Sequence, residues 1–339
     1  MAPNKNDSNG PVDGVQAIKV FSRGMTLLFV TLLLATVVAC DIAMKMNILS
    51  NHPRYFLPSD SDVLANDEHE NTIGNNSQKG SFCSPRTVNV SAVEYHSHHR
   101  YYTLLKDSKF ESPRFKSHHA ELCNNSVSDD IGYKHCLPIS GRKDSPFCTG
   151  ADRMDLLTQH TSQSRCYASV LHMLLVEVYE ELHAFNKTPL VVYGSLLGAV
   201  RNQSMIPFTE DTDIAYIGHL DRNNELGQAL VSKGYHFFFF GIWRVCVAPT
   251  HPLASILYDS QMSIAQDYLV PYVDLYAMEK LNETDWSLEM FGSNTIPAQF
   301  IEPFSQVSIN GLPFNTVHDP HYFLTTLYGE EYMSPKPRY

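Results

Sequence analysis

Two carboxylates two residues apart, Asp211 and Asp213, stand at the head of the short apolar run Ile214, Ala215 and Tyr216. In a strand, side chains at i and i+2 share a face, so this spacing projects both acids to the same side. Like charges held together repel unless a positive group lies between them, and a divalent cation with oxygen ligands is the usual remedy. Upstream, Leu190 to Tyr193 has the apolar, β-branched character of a buried strand, and it runs into Gly194, Ser195 and then Arg201. Downstream, the apolar stretch 271–278 carries a single carboxylate, Asp274. The chemistry this suggests is metal-dependent transfer of a phosphate-containing group.

The surrounding elements have to place these residues. Apolar positions Val170, Leu171, Leu174, Leu175, Val178 and Leu182 have helical spacing over 165–186, and Pro189 ends that helix before the first strand. A second helix is expected over 221–233, closed by Gly234. An aromatic strand region follows over 235–247, with Gly241 as its turn, and then the strand bearing Asp274. This alternation predicts an α/β (α+β) domain with a mixed sheet flanked by helices.

The apolar fraction of 43% suits a folded core, and the formal net charge of −11 excludes a general nucleic-acid binder, which would present a basic face. Residues 25–40 form a low-polarity run, extendable to 44, preceded by Lys5, Lys19 and Arg23 and followed by Asp41. Its length and flanking charge predict a single N-terminal membrane anchor, type II, with residues 1–24 cytosolic and the rest lumenal; a cleaved leader is the rival reading. Six of the seven cysteines and the sequons at Asn75, Asn89, Asn124, Asn186, Asn202 and Asn282 lie beyond this run, in keeping with an oxidising lumen. Six cysteines allow 15 pairings, and the spacing does not choose among them. The polar stretch 45–150 is expected to be a partly disordered stem, and 151–339 the catalytic domain. Its histidines, His96, His98, His99, His118 and His119, follow no metal-ligand spacing and read as structural or solvated.

Gly194-Ser195, then fifteen residues, then Asp211-x-Asp213, with Asp274 on a later strand, resembles the nucleotidyltransferase fold. Within it, GSLLGAVRNQSMIPFTEDTDI resembles the signature of the LicD family, which includes bacterial phosphocholine transferases and animal fukutin and fukutin-related proteins. The resemblance spans about 165–332 and extends to the closing segment Asn310 to Pro313, Pro320 to Leu324, Leu327 to Gly329 and Tyr332 to Pro335. It implies transfer of a phospho-alcohol (phosphocholine, ribitol-phosphate or glycerol-phosphate) from a CDP-linked donor to a glycan hydroxyl, in the Golgi or ER membrane. It further implies that Asp211 and Asp213 hold Mg²⁺ or Mn²⁺ and that Asp274 is a third ligand or the general base. Gly194 would allow close backbone approach, Ser195 would donate to a phosphate oxygen, and Arg201 would clamp the donor phosphate. The plainer alternatives are a turn-shaping Ser195, an ion-paired Asp274 and a structural Arg201. Protein partners would be a second copy or lumenal glycosyltransferases.

One departure stands out. Relatives carry an aromatic and two acids ahead of the D-x-D core, whereas this chain reads Pro207, Phe208, Thr209, Glu210, Asp211. Thr209 removes a carboxylate, which makes a catalytically silent scaffold the competing reading. The sequon at Asn202 adjoins Arg201, so a glycan there is expected to be missing or to point away from the site.

Overall fold

The computed structural model describes residues 82–124, 133–158, 161, 163–221, 225–264, 270–292 and 295–335. The anchor expected at 25–44 lies outside the described residues. Among the described residues, no helix is long and apolar enough to cross a membrane.

The centre is a seven-stranded mixed sheet. Its main path runs β1 (Leu190–Val191), β2 (Asp211–Ile217), β5 (Tyr272–Lys280), β4 (Ile242–Val247), β3 (Tyr235–Phe240). β2 and β5 are parallel, while β1–β2, β5–β4 and β4–β3 are antiparallel. β6 (Asp285–Leu288) extends the far end of β5 and pairs in turn with β7 (Ile296–Pro297). A separate hairpin, β8 (Ser305–Ile309) with β9 (Leu312–Thr316), precedes the last helix. Gly241, at φ +75°, supplies the left-handed residue of the β3–β4 turn, where a side chain would be strained.

Four helices matter for the site. α1 spans Arg100–Asp107, α2 Tyr167–Ala184, α3 Tyr193–Asn202 and α4 Glu225–Ser232. α2 is more than amphipathic, because Glu177 and Glu181 are buried along with its apolar residues. Lys233 donates to both carboxylates and the Tyr102 hydroxyl donates to Glu177, which supplies the partners that buried charges require. The stretch read as stem contributes to this packing. Tyr101, Tyr102, Leu105, Phe115, Leu122, Leu137 and Ile139 are buried in the same apolar core as α2 and the sheet. Four of the five histidines noted there have protein partners, His96 against Glu181 at 3.1 Å, His99 against Arg153 at 2.7 Å, His118 against the Ser260 carbonyl at 3.1 Å and His119 against the Tyr258 hydroxyl at 2.7 Å.

The pairing left open by the sequence resolves into Cys83–Cys123, Cys136–Cys246 and Cys148–Cys166. The segment 193–202, which reads as a glycine-punctuated connection, is helical. Tyr193 opens that helix at φ +46°, a left-handed conformation uncommon for a non-glycine residue.

Candidate active site

Register brings the three acids together. In the parallel β2–β5 pair, Asp213 lies opposite Asp274 and Asp211 opposite Tyr272, so all three carboxylates sit on one face of two adjacent strands. One oxygen from each of Asp211, Asp213 and Asp274 falls within 4.8 Å of the others. Asp213 and Asp274 are buried, and Asp211 is half-buried at the rim.

Neutral and cationic donors hold this cluster of like charges. The Asp213 Oδ2 atom accepts from the Ser195 backbone N–H at 3.2 Å, at the N-terminal end of α3, where the helix dipole favours an anion. A Cβ on Gly194 would stand 3.1 Å from that same oxygen, a tight contact that glycine avoids. The Tyr276 hydroxyl is shared between Asp213 Oδ1 at 3.1 Å and Asp274 Oδ2 at 3.2 Å. Arg244 Nε donates to Asp274 Oδ1 at 2.6 Å, and its guanidinium lies over the Tyr272 and Phe240 rings. Thr209 Oγ1 donates to Asp211 Oδ1 at 2.9 Å. Where relatives carry an acid, this chain supplies a neutral donor.

These contacts do not cancel the repulsion. Burial, and then the charges of Asp211 and Asp274, push the Asp213 carboxyl well above the usual range. Asp274 is raised as well, chiefly by burial, with Arg244 opposing the rise. Tyr276 is pushed up by burial and by the same acids, so its phenol keeps its proton. An all-oxygen set of three converging carboxylates suits a hard divalent cation such as Mg²⁺ or Mn²⁺, and binding one would relieve the strain of gathering them.

The other two residues implied by the resemblance are engaged elsewhere. Ser195 Oγ accepts from the Asp213 N–H at 2.7 Å and is hydrogen-bonded to Thr212 Oγ1 at 2.7 Å, so this buried hydroxyl joins α3 to β2. The Arg201 guanidinium donates to the Tyr332 carbonyl, 2.7 Å from Nε, and to the Ser334 carbonyl at 3.4 Å. It clasps the closing segment. Seven residues separate it from Gly194 along α3, about 10 Å of helix rise from the acids. Asn202 is exposed at that same distal end of α3.

Tyr276 and Arg244 were not singled out from the sequence, yet both carried a signal. Tyr276 stands two residues after Asp274 and shares its face, and Arg244 is a lone cation in an otherwise apolar strand. Beside the acids lies a cavity of about 630 Å³, lined in part by Lys143, Tyr167, Glu210 and Tyr272. Lys143 is ion-paired with Glu210 at 2.9 Å.

Residues 187–316 match the family model described as LicD/FKTN/FKRP, nucleotidyltransferase domain. The chain carries a LicD-family domain. The match falls within the stretch where the resemblance was read and takes in Gly194, Ser195, Arg201, the three acids, Arg244 and Tyr276. A search among curated proteins finds no match. The LicD domain includes both strands that carry the acids, whereas Lys143 and Tyr167 come from chain before it.

Proposed function

We propose that this protein is a metal-dependent transferase that moves a phospho-alcohol, of the ribitol-phosphate, glycerol-phosphate or phosphocholine type, from a CDP-linked donor to a glycan hydroxyl. The observation that carries this reading is the convergence of Asp211, Asp213 and Asp274 on neighbouring strands of a LicD-family domain. Asp211 and Asp213 would hold Mg²⁺ or Mn²⁺, with Asp274 beside them. When bound, such an ion neutralises charge on the diphosphate and favours departure of CMP.

The chain's own groups do the rest. Asp274 combines a raised pKa with a place opposite Asp213 in the cluster, which suits it to take the proton of the attacking hydroxyl. Arg244 fixes its carboxylate through Oδ1, and Tyr276 orients Asp274 and Asp213 together. Tyr193, held in its left-handed conformation, packs on the Tyr276 ring at 4.6 Å and donates to the Glu289 carbonyl, so backbone strain is kept at the site by surrounding contacts. The disulfides and the sequons support a lumenal setting behind an anchor at 25–44, in the Golgi or ER.

The experiment is to incubate the full-length protein with CDP-ribitol, CDP-glycerol and CDP-choline, with and without Mn²⁺, and to follow CMP. Metal-dependent CMP release supports the transferase. The second reading, a silent scaffold, is favoured by Thr209, whose hydroxyl occupies an Asp211 oxygen. It predicts no CMP and no metal-linked thermal stabilisation by any CDP-alcohol.

A further inference from the structure

The cavity beside Asp211 is built by two separate parts of the chain. Tyr272 and Glu210 belong to the LicD domain, and both adjoin the acid cluster, Tyr272 as the register partner of Asp211 and Glu210 as its chain neighbour. The facing wall is the loop around Gly141 and Lys143 together with Tyr167 at the start of α2, all of it preceding that domain.

That wall is firmly fixed. Backbone bonds run from the Arg142 N–H to the Arg165 carbonyl and from the Tyr167 N–H to the Arg142 carbonyl, each 2.8 Å. A Cβ on Gly141 would stand 2.9 Å from the Tyr167 nitrogen and 3.0 Å from the Arg165 oxygen, so the loop lies flush against the helix start only because no side chain intervenes. The Cys148–Cys166 disulfide ties the two together covalently.

Lys143 projects from this wall. Its ammonium lies 4.2 Å from the centre of the Tyr167 ring and 2.9 Å from Glu210 Oε1, while the Glu210 side chain is 63% exposed. An ammonium on a flexible stem can exchange one anionic partner for another with little desolvation, and a solvent-facing carboxylate is readily displaced. With Arg201 bonded to the closing segment and Arg244 to Asp274, a side-chain cation to share the diphosphate with the metal has to come from elsewhere. A cavity of about 630 Å³ falls within the ordinary range for small-molecule sites, and the rings of Tyr167 and Tyr272 offer flat apolar walls.

We infer that this cavity receives a nucleoside diphosphate, with Lys143, supplied from outside the LicD domain, as its phosphate-binding cation. The inference rests on the transferase reading and adds to it a residue that the family-matched segment does not contain. On binding, Lys143 leaves Glu210 for a phosphate oxygen, and Glu210 turns to solvent.

The test measures binding of CDP by the full-length protein with Mn²⁺, using calorimetry, for wild type, Lys143→Met, Lys143→Arg and Glu210→Gln. The expected result is an affinity loss of about tenfold or more for Lys143→Met, the scale of one charge-assisted hydrogen bond. Lys143→Arg keeps affinity within about threefold, since it preserves the charge. Glu210→Gln binds as tightly as wild type or more so. Without ligand the four melting temperatures stay close, because an exposed ion pair and the ammonium's contact with the Tyr167 ring are each worth little. Undiminished CDP binding by Lys143→Met overturns the inference and leaves the transferase reading standing. So does equal weakening in both Lys143 variants together with a lowered ligand-free melting temperature, which marks a structural lysine. Wild-type protein that binds no CDP, with or without Mn²⁺, overturns inference and transferase reading together.

Discussion

Replacing Asp213 with asparagine should make the metal-free protein more stable while removing its response to metal. Asp213 is buried against two further carboxylates whose oxygens lie within 4.8 Å. Two unit charges at that separation repel by about 3 kcal/mol at an effective dielectric near 20. Part of this is already offset by the Tyr276 hydroxyl, the Ser195 N–H and Arg244 on Asp274. An asparagine keeps the shape and one acceptor oxygen, so a net gain of about 1–2 kcal/mol is expected, or roughly 2–8 °C in melting temperature for a domain of this size. The pH dependence follows. A carboxyl whose folded pKa is raised contributes stability below its unfolded value, and loses that contribution as pH rises through the folded one. Metal-free wild type therefore weakens from acid toward neutral pH through this group, and Asp213→Asn lacks that component.

The assay is a thermal melt of both proteins at several pH values, in EDTA and in Mn²⁺. Wild type should gain stability with Mn²⁺, whereas the variant should start higher and gain little. A variant that melts below wild type in EDTA, or that responds fully to Mn²⁺, would refute the account of a strained acid cluster relieved by a cation.

Arg201→Ala should cost about 1–3 kcal/mol by releasing the Tyr332 and Ser334 carbonyls, with affinity for a CDP-alcohol unchanged; a large loss of donor affinity at unaltered stability would return Arg201 to the phosphate. His251 is buried and neutral, drawn down to about 3 by desolvation, with Nδ1 accepting from the Leu253 N–H. Because its folded pKa lies below the unfolded one, its stabilising contribution is present above about pH 6.5 and is lost as pH falls toward 3. Compared with His251→Asn by chemical denaturation, the wild-type advantage should shrink by about 2 kcal/mol between pH 6.5 and 5; a constant difference would contradict this.

The parts of the site that follow strand arithmetic were legible in the sequence. Alternation put Asp211 and Asp213 on one face, and an apolar strand made Asp274 conspicuous. What brought them together was register between strands about sixty residues apart, which local pattern does not encode but family resemblance does. Arg201 bonds the closing segment for a geometric reason. Its seven positions from Gly194 are two turns of α3, a helix that starts from a left-handed Tyr193 and that the sequence pattern leaves undefined. Ser195 is adjacent to the acids as expected, but its hydroxyl is consumed in joining helix to strand. Lys143 and the cavity were beyond reach, since they depend on a loop that folds back over the start of α2. The same folding explains why Tyr101, Tyr102 and Leu105, in a polar-looking stretch, are core residues.

Two of the disulfides have a consequence for how the protein should be made. Cys148–Cys166 closes a loop of 18 residues whose ends follow the cavity-lining Lys143 and immediately precede Tyr167, and Cys136–Cys246 closes one of 110 residues that reaches β4 two positions from Arg244. Cross-links of these spans each remove about 3–5 kcal/mol of chain entropy from the unfolded ensemble. Material synthesised in a reducing cytosol would lack both cross-links, and with them the covalent tie of β4 and of the chain beside the cavity. Oxidised protein, with both bonds verified, is the proper starting point for any assay of this chain.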